Sequence, residues 1–138
     1  MTDRVMFEQT LQKTHTWLND MMEELGTDDR QKAYAGMRAA LHALRDRLVI
    51  EEAADLGAQL PLLLRGVYYE GWKPAGKPVK DRSKREFLSR VTEELRDPTI
   101  EPEAAARALF STLSKHISRG EIDDVKQILP EEIRQLWR

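Results

Sequence analysis

The sequence predicts an all-α protein of about eight helices, in which two tandem copies of one helical unit pack as a single globular bundle. Three observations support this prediction. Apolar residues recur at helical spacing along almost the whole chain, and no stretch alternates apolar and polar residues as a β-strand would. The order of elements in the first half also starts again in the second half. A chain of 138 residues, 41% of them hydrophobic, suffices for one domain with a buried core.

The first helix carries an apolar stripe and ends at a glycine. The stripe consists of residues that step by three, four or seven, namely Phe7, Leu11, Leu18, Met22 and Leu25. A helix with this spacing can bury one side against other elements. Gly26 ends the helix, because glycine adopts the left-handed cap conformation at little cost.

The second helix is predicted to open with a capping box formed by Asp28 and Gln31. Its apolar face consists of Ala33, Met37, Ala40, Leu41, Leu44 and Leu48. Its solvated side consists of Lys32, Arg38, His42, Arg45 and Asp46. This division indicates an amphipathic helix with one face in the core.

Two shorter helices follow before a loop. Residues 51–59 form the first, with Glu51 and Glu52 in the first turn, where the helix dipole favours acids. Pro61 fits the first position of the next helix, because its missing donor would be unused there. The apolar residues of that helix are Leu62, Leu63, Leu64, Val67, Tyr68 and Tyr69. Two glycines and two prolines between residues 71 and 78 then predict a loop.

The second half is predicted to contain the same elements in the same order. Ser118 and Glu121 form a capping box within it. The first helix of this half contains Phe87, Leu88, Val91 and Leu95, and a turn over residues 97–101 follows it. Three more helices are predicted over residues 104–117, 121–129 and 130–137.

An internal repeat accounts for this second set of elements. Leu60-Pro61 matches Leu129-Pro130, and the offset of 69 residues keeps the helix faces in register. Matching pairs at this offset include Ala35 and Ala104, Arg38 and Arg107, Leu44 and Leu113, Glu52 and Glu121, Asp55 and Asp124, and Arg65 and Arg134. We therefore expect one domain over residues 1–138. Its repeats, at about 5–72 and 82–137, would be related by a pseudo-twofold axis and joined by a basic Gly/Pro loop over residues 73–81.

Composition excludes several classes of protein. The sequence contains no cysteine, which excludes disulfides and thiolate metal sites. A net charge of −2 gives no general affinity for nucleic acid. No apolar run approaches the roughly 20 residues of a membrane span, and the N-terminus lacks the apolar core of a signal peptide. We therefore expect a cytoplasmic protein that makes no contact with a membrane.

No motif for catalysis or for cofactor binding is visible. The sequence has no Gly-rich phosphate loop, no nucleophile elbow and no paired-acid motif. His15, His42 and His116 are not spaced as metal ligands, which would have to converge on one ion. We therefore predict no cofactor and no metal, and an enzymatic activity has no support from the sequence.

Four segments resemble a known family. They are residues 44–48 (LRDRL), 58–61 (AQLP), 65–72 (RGVYYEGW) and 87–88 (FL), and RGVYYEGW is the most specific of them. On these segments the chain resembles, over nearly its whole length, the bacterial family catalogued as domain of unknown function 2267. Val49 stands where the family pattern has a proline at the start of the third helix. The resemblance implies an all-helical fold and a bacterial cytoplasmic setting, and it implies no activity, cofactor or catalytic residue.

Charged residues recur at equivalent places in both halves: Arg38, Glu52 and Asp55 in the first, and Arg107, Glu121 and Asp124 in the second. One hypothesis makes them twin anion or metal sites. The other makes each arginine pair with acids on the adjacent short helix and brace a helical corner. We favour the brace, because a duplicated fold keeps its structural contacts in both copies, whereas a site is normally needed once.

Aromatic residues are concentrated next to one acid, in the group Tyr68, Tyr69, Glu70 and Trp72. One hypothesis is a ligand pocket or an anchor for a partner. The alternative is that Tyr68 and Trp72, four residues apart, share a helix face and seal the junction between the halves. We favour packing, because Trp137 occupies the place equivalent to Tyr68 in the second half.

The segment over residues 73–85 is strongly basic. It carries a net charge of +5 and leaves −7 on the rest of the chain, since only Asp81 opposes Lys73, Lys77, Lys80, Arg82, Lys84 and Arg85. Such a field can steer an acidic protein surface or a phosphate backbone towards this side. In the alternative hypothesis, the segment lies across the acidic surface of the rest of the protein and holds the two halves together. We rank this structural role first, because the loop must bridge the two units in either case.

The favoured function is a small helical module that binds another protein, as an adaptor or regulator, without catalysis. The partner would present an acidic surface, or would be a second copy that docks through exposed apolar faces. A second hypothesis is a small-ligand binder or enzyme with a site between the halves near Tyr69 and Glu70. A third is a nucleic-acid contact through residues 73–85, which the net charge disfavours. The candidate interaction residues are Lys73, Lys77, Lys80, Arg82, Lys84, Arg85, Tyr69 and Trp72.

Overall fold

The computed structural model describes residues 2–137, and every regular element in this range is helical. The predicted all-α class is therefore confirmed. The helices are α1 (Asp3–Leu25), α2 (Arg30–Arg47), α3 (Ile50–Gln59), α4 (Leu62–Tyr69), α5 (Lys84–Glu94), α6 (Pro102–His116), α7 (Arg119–Ile128) and α8 (Glu131–Arg134), and α8 is followed by a 3₁₀ turn over Gln135–Trp137.

The core is built around α2 and α6. Helix α2 packs against α1, α5 and α6, while α1 also contacts α6 and α3 lies against α7. Each half therefore contributes helices that pack on the other half, and the two share one core. The predicted apolar face of α2 is fully buried, with 0% exposure at Ala33, Met37, Ala40, Leu41, Leu44 and Leu48. Burial of these side chains is the main favourable contribution of α2 to folding.

The helix caps agree closely with the sequence patterns, with one shift. Gly26 follows α1 in the left-handed conformation, with φ of 68° and ψ of 34°, as predicted. The predicted N-cap Asp28 is wrong by one residue. Asp29 takes this position, because its carboxylate accepts hydrogen bonds from the amides of Gln31 and Lys32.

The two halves have the same helix order. Helices α3 and α7 both begin and end 69 residues apart, and α4 and α8 follow Pro61 and Pro130. Arg65 donates to the carbonyl of Leu60 at 3.2 Å, and the equivalent Arg134 donates to that of Leu129 at 3.1 Å. One difference is length, because α1 has 23 residues and α5 has 11. The pseudo-twofold relation itself stays a prediction.

Two residues predicted on the solvated side of α2 lie in the interior. His42 is 2% exposed and Arg45 is 3% exposed. Arg45 donates to the carbonyls of Tyr68 and Glu70 at 2.8 and 2.9 Å, and His42 Nε2 lies 2.7 Å from the carbonyl of Val67. The end of α4 leaves carbonyls without helical partners. These two polar side chains supply donors there, which is why they are buried and why their predicted exposure is wrong.

Candidate functional site

The aromatic residues at the end of α4 pack against the core, where Tyr68 is buried and Tyr69 and Trp72 are half-buried. Helix α4 ends at Tyr69, so Trp72 lies in the turn beyond it and shares no helix face with Tyr68, contrary to prediction. Instead Tyr69 contacts both neighbours, with ring centroids 5.0 Å from Tyr68 and 5.4 Å from Trp72. The hydroxyl of Tyr68 donates to the carbonyl of Ala53 at 2.7 Å. Gly57 leaves the space that the ring of Tyr69 fills.

A polar pocket of about 430 Å³ lies beside Glu70, between helices of both halves. Its lining includes Tyr34 and Arg38 of α2, Glu70 after α4, and Glu94 and Arg96 around the end of α5. Arg38 pairs with both carboxylates, at 3.0 Å to Glu70 and 3.2 Å to Glu94. The hydrogen bond and charge of Arg38 lower the pKa of Glu70. The acids of this pocket are therefore partly neutralised by the arginine between them.

The predicted partners of the repeated arginines are wrong. Arg38 faces the end of α4 and α5, and it pairs with acids there instead of with those of α3. Arg107 pairs at 2.9 Å with Glu103, one turn earlier on its own helix. The reason is geometric, because the face of α2 that carries Arg38 is turned towards α4 and α5.

The basic segment over residues 73–85 is held against the body of the protein. The amide of Val79 donates to the carbonyl of Asp46 at 2.9 Å, and Arg47 donates to the carbonyl of Asp81 at 2.6 Å. The buried carboxylate of Asp81 pairs with Arg90 on α5. These contacts fix the course of the loop between the two halves.

The six basic side chains of this segment do not form one group. Lys84 and Arg85 belong to the first turn of α5, and Lys84 pairs with Glu103 at 2.7 Å. Lys77 is half-buried. The exposed basic residues are Lys73, Lys80, Arg82 and Arg85. The structure therefore leaves part of the predicted positive charge open to solvent.

An apolar surface, which consists of Phe7, Leu11, Leu62 and Leu63, lies where α1 meets the start of α4. The exposed fractions of these residues are 55%, 49%, 47% and 45%. The amide of Leu63 donates to the hydroxyl of Thr10 at 3.0 Å, which fixes the two helices side by side. Burial of the whole α1 stripe was predicted, and it is wrong for Phe7 and Leu11, because α1 extends past the helices that cover Leu18.

A groove of about 490 Å³ adjoins the apolar surface at Leu62. It runs between α1 and the turn from α3 to α4, and its lining includes Trp17, Gln59 and His116. The ring of His116 stacks on that of Trp17 with centroids 4.9 Å apart. Gln59 exchanges two hydrogen bonds with Ser118, at 3.1 and 3.0 Å.

An acidic cluster, which consists of Glu52, Glu121 and Asp124, lies where α3 contacts α7. One carboxylate oxygen from each residue lies within 4.8 Å of the other two. Glu121 is 7% exposed, whereas Asp124 faces solvent. Burial raises the pKa of Glu121 to about 8, and the neighbouring carboxylate of Glu52 adds to this shift. Among residues 2–137, these are the carboxylates whose oxygen atoms lie close enough together to hold one metal ion.

The position of Glu121 departs from the predicted capping box. The hydroxyl of Ser118 does accept from the amide of Glu121, at 3.2 Å. The amide of Ser118, which Glu121 would bind in a complete box, donates to Gln59 instead. The carboxylate of Glu121 is therefore directed towards Glu52. Sequence alignment of the two halves pairs Glu52 with Glu121, but it gives no sign that the two side chains meet.

These features define a small all-helical protein with an uncovered apolar surface, a polar pocket and an acidic cluster. The chain belongs to the uncharacterized conserved protein family DUF2267, whose model matches residues 14–136. No curated protein matches the chain significantly. The family match begins after Phe7 and Leu11, so these two residues of the apolar surface precede it. None of the helices between residues 2 and 137 combines the length and the apolar character that crossing a membrane requires.

Proposed function

We propose that this protein is a helical interaction module that docks onto a second copy of itself through the apolar surface. The observation that carries the proposal is the uncovered stripe at the start of α1. Phe7 and Leu11 lie on the same apolar stripe of α1 as the buried Leu18, yet each of them is about half exposed. Contiguous exposed apolar residues at the rim of a soluble protein are typical of protein-interaction sites. The proposed setting is the bacterial cytoplasm.

A second copy fits this surface because the surface is complementary to itself. Phe7 and Leu11 are one helical turn apart. If two α1 helices cross antiparallel between these residues, each Phe7 meets the partner's Leu11. A contact of this kind is isologous and closes as a dimer. Between residues 82 and 137 no large apolar residue is exposed to a similar degree, and α5 lacks the twelve additional residues of α1.

The oligomeric state of the wild-type chain and of two variants tests the proposal. Phe7→Asp and Leu63→Asp each place a charge in the contact. We expect a concentration-dependent dimer for the wild type in sedimentation equilibrium, and monomers for both variants. Their melting temperatures should stay near that of a wild-type monomer, because surface substitutions usually change stability by less than about 0.5 kcal/mol.

Ile50→Asp is the matched control, because Ile50 is 42% exposed and lies at the far end of α3 from the turn into α4. This variant should remain a dimer. A wild-type chain that stays monomeric at about 1 mM, the concentration that corresponds to only about −4 kcal/mol of binding, would refute docking onto a second copy. Dissociation of the Ile50→Asp dimer would refute the assignment of the surface.

A small-ligand site is the second candidate function, and the pocket beside Glu70 favours it. The volume of about 430 Å³ lies in the usual range of ligand sites, roughly 300–1,000 Å³. However, Arg38 already pairs with Glu70 and Glu94, so a charged ligand would have to replace these contacts. The interaction module therefore ranks first.

Exposed Lys73, Lys80 and Arg82 provide a further contact for an acidic protein surface.

A further inference from the structure

The acidic cluster concentrates negative charge where two helices begin. Glu52 lies in the first turn of α3 and Glu121 in the first turn of α7, and their carboxylates face each other across the contact between these helices. Asp55 and Asp124 lie one turn further along the same helices and add to the negative field around Glu121. Like charges this close repel each other unless a proton or a cation compensates them.

Unpartnered oxygen atoms provide a second and independent observation. Oε2 of Glu52 and Oε2 of Glu121 are both buried, and neither has a hydrogen-bond partner outside the acidic cluster among residues 2–137. More than nine-tenths of Glu121 is buried, and its side chain points into the cluster. A buried carboxylate oxygen without a partner costs free energy, so such atoms normally bind a donor or a metal ion.

We propose that Glu52, Glu121 and Asp124 bind one hard divalent cation between α3 and α7. All three ligands are oxygen atoms, which Ca²⁺, Mg²⁺ and Mn²⁺ prefer, and the absence of nitrogen and sulfur ligands disfavours zinc and copper. The spread of the oxygens, at most 4.8 Å, fits one ion. Two ligands on opposite sides of Ca²⁺ lie about 4.6–5.2 Å apart, and adjacent ligands lie closer.

Solvent access completes the site. Asp124 is exposed, so the ion can enter from this side and keep water molecules in its remaining positions. Glu52 belongs to the first half of the chain, whereas Glu121 and Asp124 belong to the second. A bound cation would therefore join the two halves and stabilise the folded state by an amount that grows with the logarithm of its concentration above the Kd. With three protein ligands we expect a Kd of about 0.1–1 mM for Ca²⁺.

Titration of the EDTA-treated full chain with Ca²⁺, Mg²⁺ and Mn²⁺ tests the proposal. The melting temperature should keep rising with the logarithm of the concentration of at least one of these ions, and the amide shifts near the cluster should follow a saturable binding curve. The amide signals that Mn²⁺ broadens in ¹⁵N NMR spectra should be those around residues 52, 121 and 124. Glu121→Gln should weaken the binding by roughly tenfold or more. This variant should still fold, because it removes a buried carboxylate from beside Glu52.

Glu51→Gln and Asp123→Asn are matched controls, because both acids are exposed and are sequence neighbours of cluster residues. Each removes one negative charge and should leave the binding unchanged. The proposal is overturned by any of three results. These are no saturable effect of any of the three ions up to about 10 mM, equal responses of Glu121→Gln and the controls, or Mn²⁺ broadening centred elsewhere.

Discussion

Replacement of Gly57 by alanine tests the packing between α3 and the end of α4. A Cβ atom at residue 57 would lie 2.8 Å from Cζ of Tyr69 and 3.0 Å from Cε2 of Tyr68, and still closer to the Tyr69 hydroxyl. The ring of Tyr68 cannot easily move, because it is fully buried and its hydroxyl donates a hydrogen bond to the carbonyl of Ala53. The ring of Tyr69 is confined by Trp72 on its other side. The added methyl group must therefore displace an aromatic ring.

The change in the free energy of unfolding caused by Gly57→Ala follows from two opposing contributions. Overpacking of a filled core costs about 1–3 kcal/mol, and contact with two confined rings places Gly57→Ala in the upper part of that range. Alanine also favours the helix over glycine by about 1 kcal/mol. We therefore expect a net loss of about 1–2 kcal/mol. For a domain of this size the melting temperature should fall by roughly 3–7 °C.

Urea and thermal unfolding measure this loss, with Gly66→Ala as the control. Gly66 also lies within a helix, but an added Cβ there meets nothing within 4 Å. Gly66→Ala should therefore raise stability by about 0.5–1 kcal/mol. Tyr69→Leu in the Gly57→Ala background should recover part of the loss, with a coupling of about 1 kcal/mol between the two sites. A Gly57→Ala variant that is as stable as Gly66→Ala would refute this account of the packing.

Two further predictions concern the core and one helix cap. Leu44→Ala and Leu113→Ala should each cost about 2–5 kcal/mol in urea unfolding, because both side chains are fully buried, and similar losses for exposed Ile50→Ala would contradict this. Hydrogen bonds from the amides of Arg82 and Ser83 and from the Ser83 hydroxyl lower the pKa of Glu86 below its ordinary value of 4.5. The stabilisation that this lowered pKa represents is complete above pH 4.5 and is lost as the pH falls through the folded-state pKa. A ¹³C NMR titration should show the lowered value, and Ser83→Ala should move it back towards 4.5; an unchanged value in Ser83→Ala would contradict the assigned hydroxyl contribution.

Periodicity in the sequence predicted the helices because each buries one face. All six residues that it placed on the apolar face of α2 are buried, because helices lie opposite them, but it missed Ala39 and Ala43, which are buried as well. The same pattern failed at Phe7 and Leu11, because a periodic stripe shows which side of a helix is apolar and not how far the covering elements extend. It also missed the burial of Arg45, since donors for the carbonyls at the end of α4 come from a residue distant in sequence.

The acidic cluster could not be predicted from the sequence, for a different reason. Its residues were singled out in the sequence analysis, either as partners for Arg38 and Arg107 or as twin anion or metal sites, with one set in each half. Their actual arrangement depends on the contact between α3 and α7 and on a hydrogen bond from the amide of Ser118 to Gln59, a residue of the other half. No local pattern records such a bond. The missed signal was present only in the repeat alignment, which places Glu52 and Glu121 at equivalent positions.

If the two halves are duplicated copies, as predicted, that equivalence explains where the cluster forms. In a duplicated fold, equivalent residues of the two copies meet only close to the axis that relates the copies. Glu52 and Glu121 are equivalent, and their oxygens lie within 4.8 Å of each other, so the predicted pseudo-twofold axis would pass between α3 and α7. An acid close to the axis has no acidic neighbour of this kind in a single copy, but in a duplicated fold it lies beside the equivalent acid of the second copy. A site of this kind belongs to neither half, and it forms only when both halves are folded and packed together.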